Sequence, residues 1–210
     1  MTAAQLISSF RLTGDKTPDS LADMFAFKSA TIDYEQRDLN RKLRTEVVNR
    51  LLYDFTLKDI YLIRKLTEEE LKCDAATGRH ENIYQLCFYL YELAQPEDIF
   101  RLYNAKFDAS NFDVACTLDR EMITIRHTYN DAISYIEREL KQNPALLKQY
   151  PVILKELNEL KKEPDSESQV GYRRFLYGYF YGHERVARIN FDLSNEINRN
   201  RFRKPWWRFW

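Results

Sequence analysis

Residues 39–55, LNRKLRTEVVNRLLYDF, carry the clearest folding signal in the sequence. Apolar side chains recur there at steps of three and four, and charged side chains fill the positions between them. The apolar set is Leu39, Leu43, Val47, Leu51, Leu52 and Phe55. This spacing is typical of an amphipathic α-helix, which has one apolar stripe that must be buried against a neighbour.

The same spacing recurs along most of the 210 residues. It predicts ten helices, at about 18–29, 33–55, 57–65, 68–75, 80–94, 97–106, 111–126, 129–142, 145–162 and 167–200. With only 5 glycines and 6 prolines, the chain lacks most of the turns that sandwiches, barrels and Rossmann-type folds require. We therefore predict an all-α fold of antiparallel helix pairs, arranged as an α-solenoid or an irregular helical bundle.

Helix-start signals and prolines refine this prediction. The starts are marked by Thr67-x-x-Glu70, Ser166-x-x-Gln169, Thr128-x-x-Asp131 and Asn143-Pro144. Pro151 is expected to kink or split its helix, because proline removes one backbone hydrogen bond. A polar break before the last helix predicts a helical-pair body at 1–165, an aromatic-rich terminal helix at 166–202 packed on that body, and a basic, tryptophan-rich tail at 203–210.

Charge and cysteine content bear on partners and compartment. Lysine plus arginine and aspartate plus glutamate both total 32, but residues 199–210 hold five basic residues and no acid, so residues 1–198 carry a net charge of −5. An acidic body disfavours a nucleic-acid partner. Cys73, Cys87 and Cys116 fit neither paired disulfides nor a metal knuckle, which predicts buried free thiols. Free thiols and the lack of a secretory signal at the N-terminus predict a cytoplasmic protein.

No local motif of catalysis is present in the sequence. His80, His127 and His183 are far apart and are expected to be surface or capping residues. Neither a glycine-rich phosphate loop nor a nucleophile elbow occurs. The sequence therefore predicts no catalytic residue, cofactor or metal ligand.

The strongest polar cluster is the acidic stretch with Asp108, Asp113, Asp119 and Glu121. Asp113 and Asp119 are six residues apart, so on one helix they could share a face about 9 Å apart along the axis. A helix cap with solvated charges is the commonest interpretation of such a stretch. An acid/base or metal-binding pair and an acidic surface for a basic partner are the alternatives.

The same stretch carries a resemblance to a known class of proteins. The run from Ala105 to Asp113, AKFDASNFD, with Cys116 and Asp119 after it, resembles a segment of bacterial HEAT-like helical-repeat proteins. Some of those proteins are immunity partners that block a cognate toxin. The resemblance covers about fifteen residues and implies paired helices and a protein ligand, but it transfers no binding residue.

Aromatic residues are concentrated near the C-terminus. Six of them lie within 172–181, where Tyr177 and Tyr181 fall on a different helix face from the stripe of Tyr172, Phe175 and Tyr179. We expect part of this helix to be exposed. The tail holds all three tryptophans, Trp206, Trp207 and Trp210, which either fold back as a latch or contact a partner, a membrane interface or bases.

These observations favour a non-catalytic protein-binding module that occludes a toxin or an enzyme, as an immunity or inhibitor protein does. The predicted partner-binding residues are Asp108, Asp113, Asp119, Tyr177, Tyr181, Trp206, Trp207 and Trp210. One alternative is a metal- or carboxylate-dependent enzyme with a site assembled from distant helices. Another is an adaptor whose tail touches a membrane or nucleic acid.

Overall fold

A computed structural model describes residues 1–32, 34–79, 81–107, 112–162 and 169–182. Its helices are α1 (Ala3–Thr13), α2 (Asp19–Ala22), α3 (Arg41–Leu51), α4 (Ile60–Thr77), α5 (Ile83–Leu93), α6 (Asp98–Phe107), α7 (Phe112–Thr117), α8 (Tyr129–Gln142), α9 (Pro144–Gln149), α10 (Ile153–Lys162) and α11 (Gln169–Tyr181). The strands β1 (Ser29–Ile32) and β2 (Glu35–Asp38) form an antiparallel hairpin. Apart from this small hairpin the fold is all-α, as predicted.

The core joins neighbouring helices and also brings the two ends of the described chain together. Helix α1 packs on α3 and α4, α4 packs on α5, and α8 packs on α10. Near the end of the described chain, Tyr181 of α11 donates a hydrogen bond to the carbonyl of Leu52, just after α3. A solenoid repeat contacts only its neighbours, so the contact between α11 and the end of α3 favours the irregular bundle over the solenoid.

Several predicted helix boundaries are confirmed. Thr128 caps α8 by accepting from the backbone amide of Asp131, and Asn143 caps α9, which begins at Pro144. Pro151 separates α9 from α10, as its missing amide requires. The predicted start at Ser166 lies outside the described residues.

The first prediction that is wrong concerns the region before α3. Helices at about 18–29 and 33–55 are replaced by the short α2, the hairpin and an α3 that begins only at Arg41. The carboxylate of Asp38 explains this, because it accepts from the backbone amides of Lys28 and Asn40 and so fixes the chain on both sides of the hairpin. In a continuous helix these amides would instead donate to backbone carbonyls one turn earlier in the same helix.

Two further boundaries differ from prediction. The capping box at Thr67 does not form, and α4 runs through it without a break, because the Thr67 hydroxyl donates to the carbonyl of Ile63 inside the helix. The helix predicted at 111–126 is instead α7 followed by a 3-10 turn at Arg120–Thr124.

The cysteines and His127 only partly match their predictions. Cys73 and Cys87 are buried free thiols, as expected, and burial raises the pKa of Cys87 to about 12. Cys116 is exposed, which corrects its prediction. His127 is buried rather than at the surface, but its side chain hydrogen-bonds to the backbone of Ala94 at the C-terminal cap of α5, which fits the capping alternative. His80 and His183 lie outside the described residues.

Burial of His127 makes stability sensitive to acid. Burial disfavours the charged imidazole and lowers its pKa from 6.5 to about 4. Between these two values the unfolded chain binds more protons than the folded one, so acid favours unfolding. We expect the contribution of neutral His127 to the free energy of unfolding to be complete above the pKa of the unfolded chain, 6.5. It should shrink by about 2–3 kcal/mol as the pH falls from neutral to about 4.5.

The measurement is urea unfolding of the wild type and of His127→Gln, each at neutral pH and at a pH of about 4.5. Glutamine keeps hydrogen-bonding groups but cannot ionise, so H127Q should lose less stability in acid than the wild type, by the amount given above. An equal acid loss in both proteins would assign the effect to other groups.

Within the described residues, no helix combines the length and apolar character needed to cross a membrane. The predicted tail at 203–210 and the second half of the terminal helix predicted at 166–202 lie outside the described residues.

Candidate functional site

Helix α11 is held on the body by polar contacts with α5. Arg173 forms a bidentate ion pair with Glu92, with its Nε and Nη2 2.8 Å from the two carboxylate oxygens. The Tyr177 hydroxyl donates to the same carboxylate at 3.1 Å, and Arg126 lies 3.5 Å from it. Burial and the negative charge of Glu92 raise the pKa of Tyr177 to about 12, so this hydroxyl stays protonated and remains a donor.

Asp119 forms the second attachment point of α11. Its Oδ2 atom accepts hydrogen bonds from the hydroxyl of Tyr84 on α5 at 2.8 Å and from the hydroxyl of Tyr172 on α11 at 2.9 Å. Burial, together with the Asp119 charge, raises the pKa of both tyrosines above the ordinary range. One carboxylate therefore links α5 and α11 through two neutral phenols.

Aromatic stacking completes the α5–α11 interface. Phe88 of α5 is fully buried and stacks on Phe180, with ring centroids 4.5 Å apart. Tyr177 and Tyr181 meet the same ring edge-on at 5.7 and 6.1 Å. These stacking contacts lie on the side of α11 that faces α5.

At the edge of this interface α11 leaves two aromatic rings largely exposed to solvent. Phe175 is 49% exposed and Tyr179 is 64% exposed, and the two lie four residues apart on one helix face. Tyr179 packs edge-on against the half-buried Tyr84, with ring centroids 5.2 Å apart. We call Tyr84, Phe175 and Tyr179 the aromatic ridge.

The acidic stretch borders this ridge through α7. Tyr84 lines a small depression with Val114, Thr117 and Leu118, and Asp113 is exposed one helical turn before Thr117. The carboxylates of Asp113 and Asp119 do not share a helix face, contrary to the prediction, because α7 ends at Thr117 and the backbone at Asp119 is extended. Asp108 lies outside the described residues.

The predicted tyrosines occupy a different place from the one expected. Tyr177 and Tyr181 are half-buried, and their hydroxyls bond to Glu92 and to the Leu52 carbonyl. The exposed aromatic residues of α11 are instead Phe175 and Tyr179, which the predicted set does not contain although their spacing of four residues is part of the stripe in the sequence. Trp206, Trp207 and Trp210 lie outside the described residues.

Lys106 fixes α7 relative to α6. Its amino group donates to the backbone carbonyls of Ala115 and Leu118, which lie at the C-terminal end of α7. A cation suits that position, because the last carbonyls of a helix have no partner within it. Burial and the nearby charge of Arg120 lower the pKa of Lys106.

Within the described residues, no group of three or more histidine, cysteine, aspartate or glutamate side chains is arranged to hold a metal ion. The described site is an aromatic and acidic surface on helices that are held by buried polar contacts.

No family model, no curated protein and no solved structure matches this chain.

Proposed function

We propose that this protein is a non-catalytic protein-binding module and that the aromatic ridge with Asp113 is its binding surface. The supporting observation is the exposure of Phe175 and Tyr179 on a helix whose other aromatic residues are bonded to the body. Aromatic side chains supply much of the energy of protein interfaces, and a rigid helix loses little conformational entropy when it binds.

Charge indicates the chemistry of the partner. Asp113 is exposed beside the ridge, and residues 1–198 carry the net charge of −5 given above. Opposite charges on two surfaces accelerate association and select against the wrong partner. The proposed partner is therefore a protein with a basic surface patch next to an apolar groove.

A more specific version of this proposal is that the partner is a toxin or an enzyme and that binding covers its active surface. Its support is the resemblance of the run from Ala105 to Asp113 to segments of bacterial HEAT-like repeat proteins, some of which are immunity proteins. A cytoplasmic location belongs to the same proposal, since free thiols at Cys73 and Cys87 suit a reducing compartment.

The test compares co-purification by the wild type and by Phe175→Ser/Tyr179→Ser. We expect the double variant to lose a partner that the wild type retains, with an affinity at least about tenfold weaker by calorimetry once the partner is identified. Asp113→Ala should slow association with little effect on dissociation, because it removes only long-range attraction.

Leu12→Ser is the matched control. Leu12 is 87% exposed on α1, which packs on α3 and α4, so L12S removes exposed apolar surface away from the ridge. Equal retention of the partner by F175S/Y179S and L12S would contradict the proposal, provided both melt like the wild type. Asp119→Ala is not a suitable probe, because it would also release Tyr84 and Tyr172. A stoichiometric metal in the purified protein would instead favour the enzyme alternative.

A further inference from the structure

A groove on another face of the molecule is lined by basic side chains. It has a volume of about 510 Å³ and lies between β2, the first turns of α3 and the C-terminal end of α4. Arg37, Arg41, Lys42 and Arg79 line it, together with the hydroxyl side chains of Thr45 and Thr77. Its volume falls within the range of about 300–1,000 Å³ that is usual for small-ligand sites.

Cations outnumber carboxylates among the described residues that line the groove. Of the two carboxylates in the lining, Asp38 is already bonded to the buried Arg44, and Glu46 is the other. Two further carboxylates, Glu35 and Glu81, pair with Arg37 and Arg41 from outside the lining. In the described part of the chain, neither Lys42 nor Arg79 forms an ion pair. The groove is thus a basic site on a chain whose body is acidic.

Two of the cations, Arg37 and Arg41, form ion pairs at the rim of the groove, and the carboxylates of these pairs are exposed to solvent. Arg37 pairs with Glu35 and Arg41 pairs with Glu81, whose side chains are 62% and 60% exposed. Such surface pairs contribute only about 0–1 kcal/mol, so an anionic ligand can displace them. The Nε atom of Arg41 is shielded from solvent and has no hydrogen-bond partner among the described residues.

The remaining lining groups indicate a ligand that carries hydroxyl groups. The Thr45 hydroxyl accepts from the Asn82 amide, so its own hydrogen is free to donate. The Thr77 hydroxyl donates to the Cys73 carbonyl and accepts from the Cys73 thiol at 3.6 Å, which leaves one lone pair for a ligand. None of the described residues that line the groove is aromatic, so this lining offers no ring on which a nucleobase could stack.

We propose that this groove binds a small phosphorylated polyol or sugar, with Arg41, Lys42 and Arg79 holding its phosphates. Arginine suits this role because its planar guanidinium donates two parallel hydrogen bonds to a phosphate. The site is separate from the aromatic ridge, so this inference goes beyond the proposed protein-binding function.

Titration calorimetry with inositol hexakisphosphate tests the proposal, with myo-inositol and inorganic phosphate as reference compounds. We expect one molecule to bind per chain and Arg41→Gln/Lys42→Gln to bind at least about tenfold more weakly. Arg79→Gln should weaken binding independently. Glu81→Gln should strengthen it, because Arg41 then has no competing carboxylate.

Arg50→Gln is the matched control, since Arg50 is exposed on the same helix but does not line the groove. An equal loss of affinity in R50Q and in R41Q/K42Q would reduce the effect to general charge attraction and overturn the proposal. So would the absence of binding by the wild type, or equally tight binding of inorganic phosphate. Tighter binding of a single-stranded oligonucleotide or an acidic peptide through the same residues would replace the small ligand with a macromolecule.

Discussion

Arg44→Met is expected to lower the free energy of unfolding by about 3–5 kcal/mol. Arg44 is fully buried, pairs with Asp38, and places its Nε 2.6 Å from the carboxylate of Glu70. Its Nη1 also donates to the carbonyl of Phe25 at 2.9 Å. Methionine fills much of the same volume but leaves two buried carboxylates without a cation, and a buried unpaired charge is far more costly than a broken surface pair.

Urea unfolding followed by circular dichroism measures this effect, with Arg50→Met as the control on the exposed face of α3. R50M should change stability by no more than about 0.5 kcal/mol. Adding Glu70→Leu to R44M should recover part of the loss, because the second change removes one of the stranded charges. A loss below about 1 kcal/mol in R44M, or no recovery in the double variant, would show that water reaches the cluster.

Glu92→Ala is expected to detach α11 and to cost about 3 kcal/mol. The substitution leaves Arg173 and Arg126 without their shared carboxylate and removes the acceptor of the Tyr177 hydroxyl. Because Glu92 is nearly buried and collects all three donors, the loss is concentrated in one helix rather than spread over the fold. Amide hydrogen exchange should accelerate throughout 169–182 and much less in α8 and α10.

Glu159→Ala provides the comparison, since Glu159 pairs with Lys162 on the surface of α10 and its removal should leave exchange in α11 unchanged. If E92A exchanges like the wild type in α11, then stacking on Phe88 and the hydrogen bonds of Tyr172 and Tyr181 are sufficient to hold the helix. E92A should also lose the partner proposed for the aromatic ridge, whereas a ridge variant should lose the partner without faster exchange.

The helical part of the fold could be predicted because its signals are local. The apolar stripe of 39–55, the cap at Asn143 and the break at Pro151 each depend on residues within about one turn of each other. The hairpin could not be predicted in this way. Asp38, at the end of the hairpin, bonds to Arg44 of α3, and Arg44 also bonds to Glu70 of α4.

The candidate site shows the same division between local and distant information. The predicted binding residues come from both the acidic stretch and the aromatic helix, and the structure joins these two segments through Asp119 and Tyr172. Which aromatic residues face solvent depends on Glu92 and the Leu52 carbonyl, which lie 85 and 129 residues from their tyrosine partners. No periodicity within α11 contains that information, so Tyr177 was favoured over Phe175.

The stacking of Phe88 on Phe180 has a consequence for synthesis of the protein. Translation completes α5 long before α11, so the side of the Phe88 ring that stacks on Phe180 stays uncovered while the intervening residues emerge from the ribosome. During that interval the nascent chain displays an apolar face that its finished form hides. A chaperone that recognises apolar segments therefore has a defined binding window, which closes when α11 docks.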